Sequence, residues 1–271
     1  LGLSAGLPSC DGPFQTDDGL KPQQNTPHTA LDLPMGLVIV KPPGWEVYDQ
    51  NVNVEHQLLN YLRKTSAIKW PILNDHEHGH GFLHRLDVPS SGLILAAKTY
   101  QAYYDMRVQL SAGEIARDYL VLCHGWVLPA LNEIAAPVYW RDTSPTTAGG
   151  RGKPSRTQLK VMSHASRKDK ALSLLAIRIA SGRRHQIRSH CSHIGHPTVC
   201  DGMYTSVATF ESDLGWCSQN LLHRYRLAFK DSDGCTYEVM EPASAKLVST
   251  LRQLVTKHEL SAGALGPWLT N

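Results

Sequence analysis

The apolar residues of this chain fall into short runs, and that feature most limits what it can fold into. Leu37–Lys41, Gly92–Lys98, Tyr119–Cys123, Leu172–Ala180, Leu221–Phe229 and Thr236–Met240 are separated by segments that contain Gly, Ser or Asp. Runs of this length, rich in Val, Ile, Leu and Tyr, predict strands. None approaches the roughly 18 apolar residues of a membrane-crossing helix. The last two flank Asp231-Ser232-Asp233-Gly234 and predict a hairpin. Thr157–Met162 alternates weakly and adds another strand.

Helical spacing lies between these runs. Asn53 is placed to cap a helix carrying Val54, Leu58, Tyr61 and Leu62 at i, i+4, i+7 and i+8. Tyr103 to Leu110 suggests a second helix. A third runs from Arg183 to about Ile194, with Ile187, Cys191 and Ile194 on one face and Arg184 and Arg188 on another. The last spans about Ala245 to Thr256. Strands outnumber helices without strict alternation, so the expected class is α+β, a mixed and mainly antiparallel sheet flanked by helices and loops. Residues 1–30 hold four Gly and four Pro with no apolar period, and are expected to form an irregular tail. Residues 31–258 are expected to form one domain, followed by a second irregular tail over 259–271. The 271 residues are enough to bury a core without staples.

Charge is unevenly placed. The net charge of the whole chain is only +3. From Arg151 to His190 there are eleven Lys or Arg and one acid, Asp169, whereas the remainder carries 16 basic against 23 acidic residues. A local basic segment on an acidic background suits a site for a polyanion rather than a uniformly basic binder. The competing reading is a solvated basic loop.

The six cysteines are scattered with no C-x-x-C, which fits reduced thiols inside a cell better than a disulfide scaffold. The compartment stays open between cytoplasm and an organellar matrix such as the mitochondrial one. The chain opens on Leu1, which suggests a processed product or part of a longer polypeptide.

His76-Glu77-His78-Gly79-His80 matches H-E-x-x-H, the helical zinc motif. Gly79 and Gly81 disfavour a helix there and predict a loop, with no third ligand at an interpretable spacing. His190, Cys191, His193 and His196 read as packing and hydrogen-bonding residues of a helix. No metal site is expected.

Two polar segments carry chemistry. Arg85-Leu86-Asp87 sits in a turn before an apolar strand, where a carboxylate can be held rigidly and stay reachable. Taken alone, an Asx-type turn is the better reading of it. Ser181-Gly182-Arg183-Arg184-His185-Gln186-Ile187-Arg188 stands at a strand-to-helix junction and offers phosphate contacts. Arg117-Asp118-Tyr119 adds an aromatic hydroxyl at the start of a strand.

Together these segments resemble the RluA-type family of RNA pseudouridine synthases. The family pattern R-L-D-x-x-T-S-G-L, two apolar positions, then A-K, is met from Arg85 to Lys98 with Ser90 for Thr. G-R-T-H-Q-I-R is met from Gly182 to Arg188 with Arg184 for Thr, and G-H-P-I-V-G-D-x-x-Y from Gly195 to Tyr204 with Cys200 for Gly. Further matches are K-P-x-G at Lys41 to Gly44, K-x-Y at Arg117 to Tyr119 and L-H-x-x-R-L at Leu222 to Leu227. The resemblance covers about residues 33 to 255.

It implies isomerisation of chosen uridines in ribosomal or transfer RNA, with the base flipped out and no cofactor or metal. Asp87 would be the catalytic carboxylate, acting on C1′ or taking the C2′ proton. Tyr119 would contact the base, and Arg183 would pair with Asp87. Arg85 would fill the space left by the flipped nucleotide. Arg184, His185, Gln186, Arg188 and Lys98 would join it in holding the RNA, within a ribosomal or other ribonucleoprotein assembly and away from membranes. Two other classes compete: an inactive RNA-binding or ribosome-associated protein on the same fold, and a zinc hydrolase built on His76 and His80.

Overall fold

A computed structural model describes residues 25–48, 56–65, 70–141 and 144–269. Its main sheet starts at β1 (His28–Asp32) and β2 (Gly36–Lys41), followed by helix α1 (Leu58–Thr65). Then come β3 (Ser91–Ala97), helix α2 (Tyr100–Ala112), β4 (Ala116–His124) and three short strands, β5 (Glu133–Ala135), β6 (Val138–Tyr139) and β7 (Thr147–Ala148). The long hairpin β8 (Arg156–Arg167) and β9 (Lys170–Ile179) leads into α3 (Gln186–His193) and α4 (Val207–Leu214). The hairpin β10 (Leu222–Lys230) and β11 (Thr236–Met240) precedes α5 (Ala245–Leu251), β12 (Val255–Thr256) and α6 (Glu259–Leu265).

The main sheet runs β1-β2-β3-β10-β4-β9-β8-β12, with β11 on β10 and β5 on β8; β6 and β7 pair separately. Its paired strands are antiparallel except β3 with β10. This is the expected α+β arrangement. The middle strands are apolar on both sides because both sheet faces are covered. Tyr119 and Val121 of β4 point into a core with Leu58, Leu62, Ile177 and Ile187, while Leu120 and Leu122 point into one with Leu174, Leu247, Leu251 and Leu265. A third core packs Met106 of α2 on Leu93 and Leu95 of β3.

Local signals explain several boundaries. Thr99 caps α2 by accepting from the Ala102 N–H, and Gly113 ends it at φ 75°. Gly92 in β3 has φ +117°, and a Cβ there would lie 2.3 Å from the Arg224 carbonyl oxygen. Only glycine lets β10 run this close beside β3.

The C-terminal segment corrects an expectation. Residues 259–269 do not form an irregular tail: α6 and a 3₁₀ turn over Gly266–Trp268 pack on the domain, with Leu265 buried and Ser261 Oγ accepting from the His164 N–H at 3.2 Å. The segment lacks a strong apolar period because few side chains are needed to seat so short a helix. At the other end β1 already begins at His28, inside the expected tail. The Asn53 cap and the larger part of that tail lie outside the described residues.

Candidate active site

Asp87 lies in the turn before β3, its backbone carbonyl accepting from the Ser90 N–H at 3.0 Å. Its side chain is 19% exposed, reachable yet walled in. The guanidinium facing it is that of Arg188, whose Nη1 donates to Oδ2 at 3.3 Å. This corrects the expected Arg183–Asp87 pair. Arg183 sits on the exposed turn before α3, and its backbone N–H donates to Gln186 Oε1 at 3.1 Å. Arg188 lies within α3 on its buried, inward face, which places it under Asp87.

Arg188 is itself held from behind. Its Nε and Nη2 donate to the two carboxylate oxygens of Asp201, both at 2.7 Å, a bidentate pair with the Asp201 side chain fully buried. Thr198 Oγ1 and the Met203 N–H also donate to Asp201, at 2.9 and 3.1 Å. Burial works against the Arg188 charge, but hydrogen bonding and charge from Asp201, then Asp87, raise its pKa above the ordinary arginine value.

His185 closes the other side, with Nε2 3.9 Å from Asp87 Oδ1. It caps α3 in the left-handed region, at φ 50°. Its Nδ1 meets the Tyr204 hydroxyl at 3.0 Å, and that hydroxyl also accepts from the Thr146 N–H at 2.9 Å. The Tyr204 hydroxyl thus ties His185 to the loop that carries Thr146 and holds the ring beside Asp87. Burial lowers the His185 pKa, against the pull of Asp87, so the ring is neutral at pH 7.

Tyr119 is buried in the middle of β4. Its hydroxyl accepts from Arg224 Nε at 3.0 Å and from Arg224 Nη2. Nη1 of the same arginine donates to His84 Nδ1 and to the Leu93 carbonyl, each at 2.8 Å. Burial, then the charges of Arg224 and Arg117, push His84 well below the ordinary histidine value, so it is a neutral acceptor. Lys41 completes the floor. Its Nζ donates to the carbonyls of Pro42, Trp45 and Val88 at 2.9, 2.8 and 3.2 Å, tying two loops together beside Asp87. Burial pushes its amine down to about 7, opposed by the nearby carboxylates of Asp87 and Glu46.

The remaining expected site residues divide. Arg85 is exposed next to Asp87, and Arg184 lies beside His185 at the start of α3. Gln186 is buried and its amide is committed within the fold: Oε1 accepts from Ser181 Oγ, and Nε2 donates to the Arg156 carbonyl and Thr157 Oγ1. Lys98 stands at the far end of β3, roughly 20 Å of strand from the Asp87 turn. There it pairs with Asp32 and sits 5.0 Å from the Trp70 ring centroid. Neither belongs to the cluster around Asp87.

The basic segment does not form one face. Arg151, Lys153, Arg156, Arg183 and Arg184 gather where β8 begins and β9 ends, beside α3. Arg167, Lys168 and Lys170 sit at the other end of the same hairpin, where Arg167 and Lys170 meet Gln253 and Ser212. Arg178 is paired with Asp118 at 2.6 Å. The H-E-x-x-H segment is a turn, as its glycines predict, with His80 at φ 56°. His78 bonds Asp75 and Tyr104, and His80 the Leu73 carbonyl. The helix carrying His190 uses that ring to bond Thr157 and Ala136.

The family model described as RNA pseudouridylate synthase matches residues 36–193, from β2 to the end of α3. The ribosomal large subunit pseudouridine synthase D of Yersinia pestis is 32% identical over 204 residues, covering 74% of this chain and 60% of that protein. The protein of the same name from Nitrosomonas europaea is 35% identical over 170 residues, covering 62% of this chain and 46% of that protein. The chain thus spans about half the length of the curated relatives it matches. Among solved structures, human RNA pseudouridylate synthase domain containing 1 superposes with a TM-score of 0.65 at 22% identity, covering 91% of this chain and 98% of that one. At that identity the likeness speaks for the fold. With more than half of its length matched by the family model, the chain belongs to the RNA pseudouridylate synthase family.

Proposed function

We propose that the chain isomerises selected uridines of structured RNA to pseudouridine, with Asp87 as the catalytic carboxylate. The observation that carries this is the placement of Asp87: in a turn at a strand edge, partly exposed, and 3.3 Å from an arginine that a buried aspartate holds in place. A carboxylate fixed in this way can attack C1′ or take the C2′ proton without first being reoriented. The relatives' names refer to the large ribosomal subunit, which favours ribosomal over transfer RNA.

The roles divide by position. Arg188 aims Asp87 and spreads its charge toward Asp201. His185 stands on the side of the other carboxylate oxygen, its Nε2 3.9 Å from Oδ1, and orients Asp87 from there. Tyr119, whose hydroxyl accepts from Arg224, is the candidate for contact with the base and for proton transfer at C5. Arg85, exposed beside Asp87, is the side chain best placed to fill the gap left by a flipped nucleotide. Unstacking that nucleotide costs a few kcal/mol, which phosphate contacts from Arg151, Lys153, Arg156, Arg183 and Arg184 offset. The test is pseudouridine mapping on total RNA from cells depleted of the protein, incubated with wild type or Asp87→Asn. Product from wild type alone, with RNA binding retained by Asp87→Asn, is expected; equal product from both sinks the assignment.

A further inference from the structure

The turn that holds the H-E-x-x-H segment lies at the other end of β3 from Asp87. Phe82, just after it, bridges to Ala96 near the end of that strand, whereas the Asp87 turn precedes Ser91 at its start. Here Asp75, His78 and Tyr104 stand in a row. Asp75 Oδ2 lies 2.8 Å from His78 Nδ1, and His78 Nε2 lies 2.7 Å from the Tyr104 hydroxyl. The carboxylate is itself fixed: Oδ1 accepts from the Glu77 and His78 N–H groups at 2.9 and 3.3 Å, and Oδ2 accepts from the Tyr100 hydroxyl at 3.1 Å. The imidazole makes edge contacts with the rings of Tyr100, Tyr103 and Tyr104, at centroid distances of 5.0, 5.4 and 5.5 Å.

These contacts set the direction of the protons. Desolvation works against the Asp75 charge, but hydrogen bonds from His78 and Tyr100 outweigh it and lower its pKa, so Asp75 is a carboxylate at pH 7. A carboxylate only accepts. The neutral imidazole therefore carries its proton on Nδ1 and offers the Nε2 lone pair to the Tyr104 O–H. A hydroxyl bonded to a base that a third group orients is the arrangement by which proteins activate a nucleophile. Tyr104 is 57% exposed, open to a reactant from solvent.

The surroundings select the reactant. Tyr100, Tyr104 and Val108 follow one another at i, i+4 and i+8 on α2, and all three are exposed. They form an apolar strip with the Tyr104 ring at its middle. Asp75, Glu77 and Asp105 set three acids in or next to the row, against Arg107 one turn along α2. That balance disfavours an anionic phosphoryl donor and favours a neutral carbonyl with an apolar group. We infer that Asp75, His78 and Tyr104 form a second reactive site, at which the Tyr104 oxygen takes an acyl group from a neutral ester or thioester. The oxygen bonds to the acyl carbon as its proton passes to His78 Nε2. The departing alkoxide or thiolate takes that proton as its own bond to the carbon breaks. An aryl ester remains on Tyr104, and the imidazole is neutral again. This site is independent of the pseudouridine synthase reading.

The test incubates the full chain with p-nitrophenyl butyrate and follows acylated peptides by mass spectrometry across pH. Tyr139, comparably exposed, is the internal reference. At neutral pH Tyr104 should be acylated at least about tenfold faster than Tyr139, and its rate should level off above the histidine range instead of climbing toward the phenol range. Asp75→Asn keeps an oxygen for the N–H groups of the turn but sets an N–H against Nδ1, which drives the imidazole proton to Nε2. It should slow acylation of Tyr104 about a hundredfold, the lower range of general-base catalysis. His78→Gln should slow it as much and restore the climb with pH. Tyr104→Phe should abolish the adduct and leave pseudouridine formation unchanged. Melting curves show which variants are folded. Equal acylation of Tyr104 and Tyr139, or a rate and pH profile that folded Asp75→Asn and His78→Gln leave unaltered, overturns the site. Loss of pseudouridine formation in folded Tyr104→Phe would assign the row to RNA and also overturn it, as would faster modification of Tyr104 by acetyl phosphate than by the ester.

Discussion

Replacing Arg188 by methionine tests the centre of the site. The change keeps most of the side-chain volume and removes three hydrogen bonds: two at 2.7 Å to Asp201 and one at 3.3 Å to Asp87. Asp201 has no exposed side-chain surface, so its carboxylate would be stranded with only Thr198 and the Met203 N–H as donors. Breaking a buried pair from one side costs about 3–5 kcal/mol. Adding Asp201→Asn removes the stranded charge and should recover at least half of that loss in urea unfolding. Turnover should not recover with it. Asp87 still lacks a charge-assisted hydrogen bond of about 1.5–3 kcal/mol, which corresponds to roughly a ten- to hundredfold slower single-turnover rate at saturating RNA. Arg183→Ala is the contrast. Its side chain is exposed, so stability should hold within about 0.5 kcal/mol, with the effect confined to RNA affinity. If the folded double variant turns over at the wild-type rate while Arg183→Ala is inactive, the assignment of Arg188 to Asp87 is refuted.

Other outcomes follow from the same geometry. Five cations lie at the α3 end of the β8–β9 hairpin. If each meets one phosphate, a fourfold rise in salt should weaken RNA binding about a hundredfold. Changing Arg167, Lys168 and Lys170 to Gln should leave the slope of log affinity against log salt unaltered; a shallower slope would place RNA on the far end. Burial lowers the pKa of His84 and of His223. The unfolded chain then takes up protons near pH 6.5 that the folded chain refuses, so stability falls with pH. Stability should therefore be lower at pH 5.5 than at pH 7.5, and His84→Asn should make that loss smaller; equal urea midpoints at both pH values would contradict it. Gly92→Ala forces a Cβ within 2.3 Å of the Arg224 carbonyl at φ +117° and should destabilise by about 3 kcal/mol or more; a melting temperature at the wild-type value would show that β10 does not press on β3.

What the sequence discloses about the fold is what depends on local pattern. The runs at Leu37–Lys41, Tyr119–Cys123 and Leu172–Ala180 became β2, β4 and β9 because apolar stretches of that length must be covered on both faces. The Asp231–Gly234 turn joined its two strands for equally local reasons. Asp87 was legible through its motif. Its partner was not, because a helix start offers several arginines and only the phase of α3 decides which faces inward: Arg183 lies before the helix, and Arg188 is buried within it.

The most instructive omission is Arg224. Strand alternation puts Arg224 and Arg226 on the same face, which would make both members of one exposed basic row. The structure breaks the alternation: Arg224 is paired with Tyr119 and Arg226 with Asp118, with a register shift between them. Adjacent residues of β4 point to opposite faces, so this shift sends Arg224 inward to the Tyr119 hydroxyl and Arg226 outward, where it bonds Asp118 and Glu238. No pattern within residues 222–230 encodes that choice. It depends on β10 pairing with β3 on one side and β4 on the other, where Gly92 admits the Arg224 backbone and His84 and Leu93 accept from its side chain. The same reasoning accounts for the basic segment. A count along the chain adds the cations at both ends of the β8–β9 hairpin, but about ten residues of strand separate the two groups, well beyond a Debye length at physiological salt. Only the cations that the hairpin returns to the start of α3 can act together on a phosphate near Asp87.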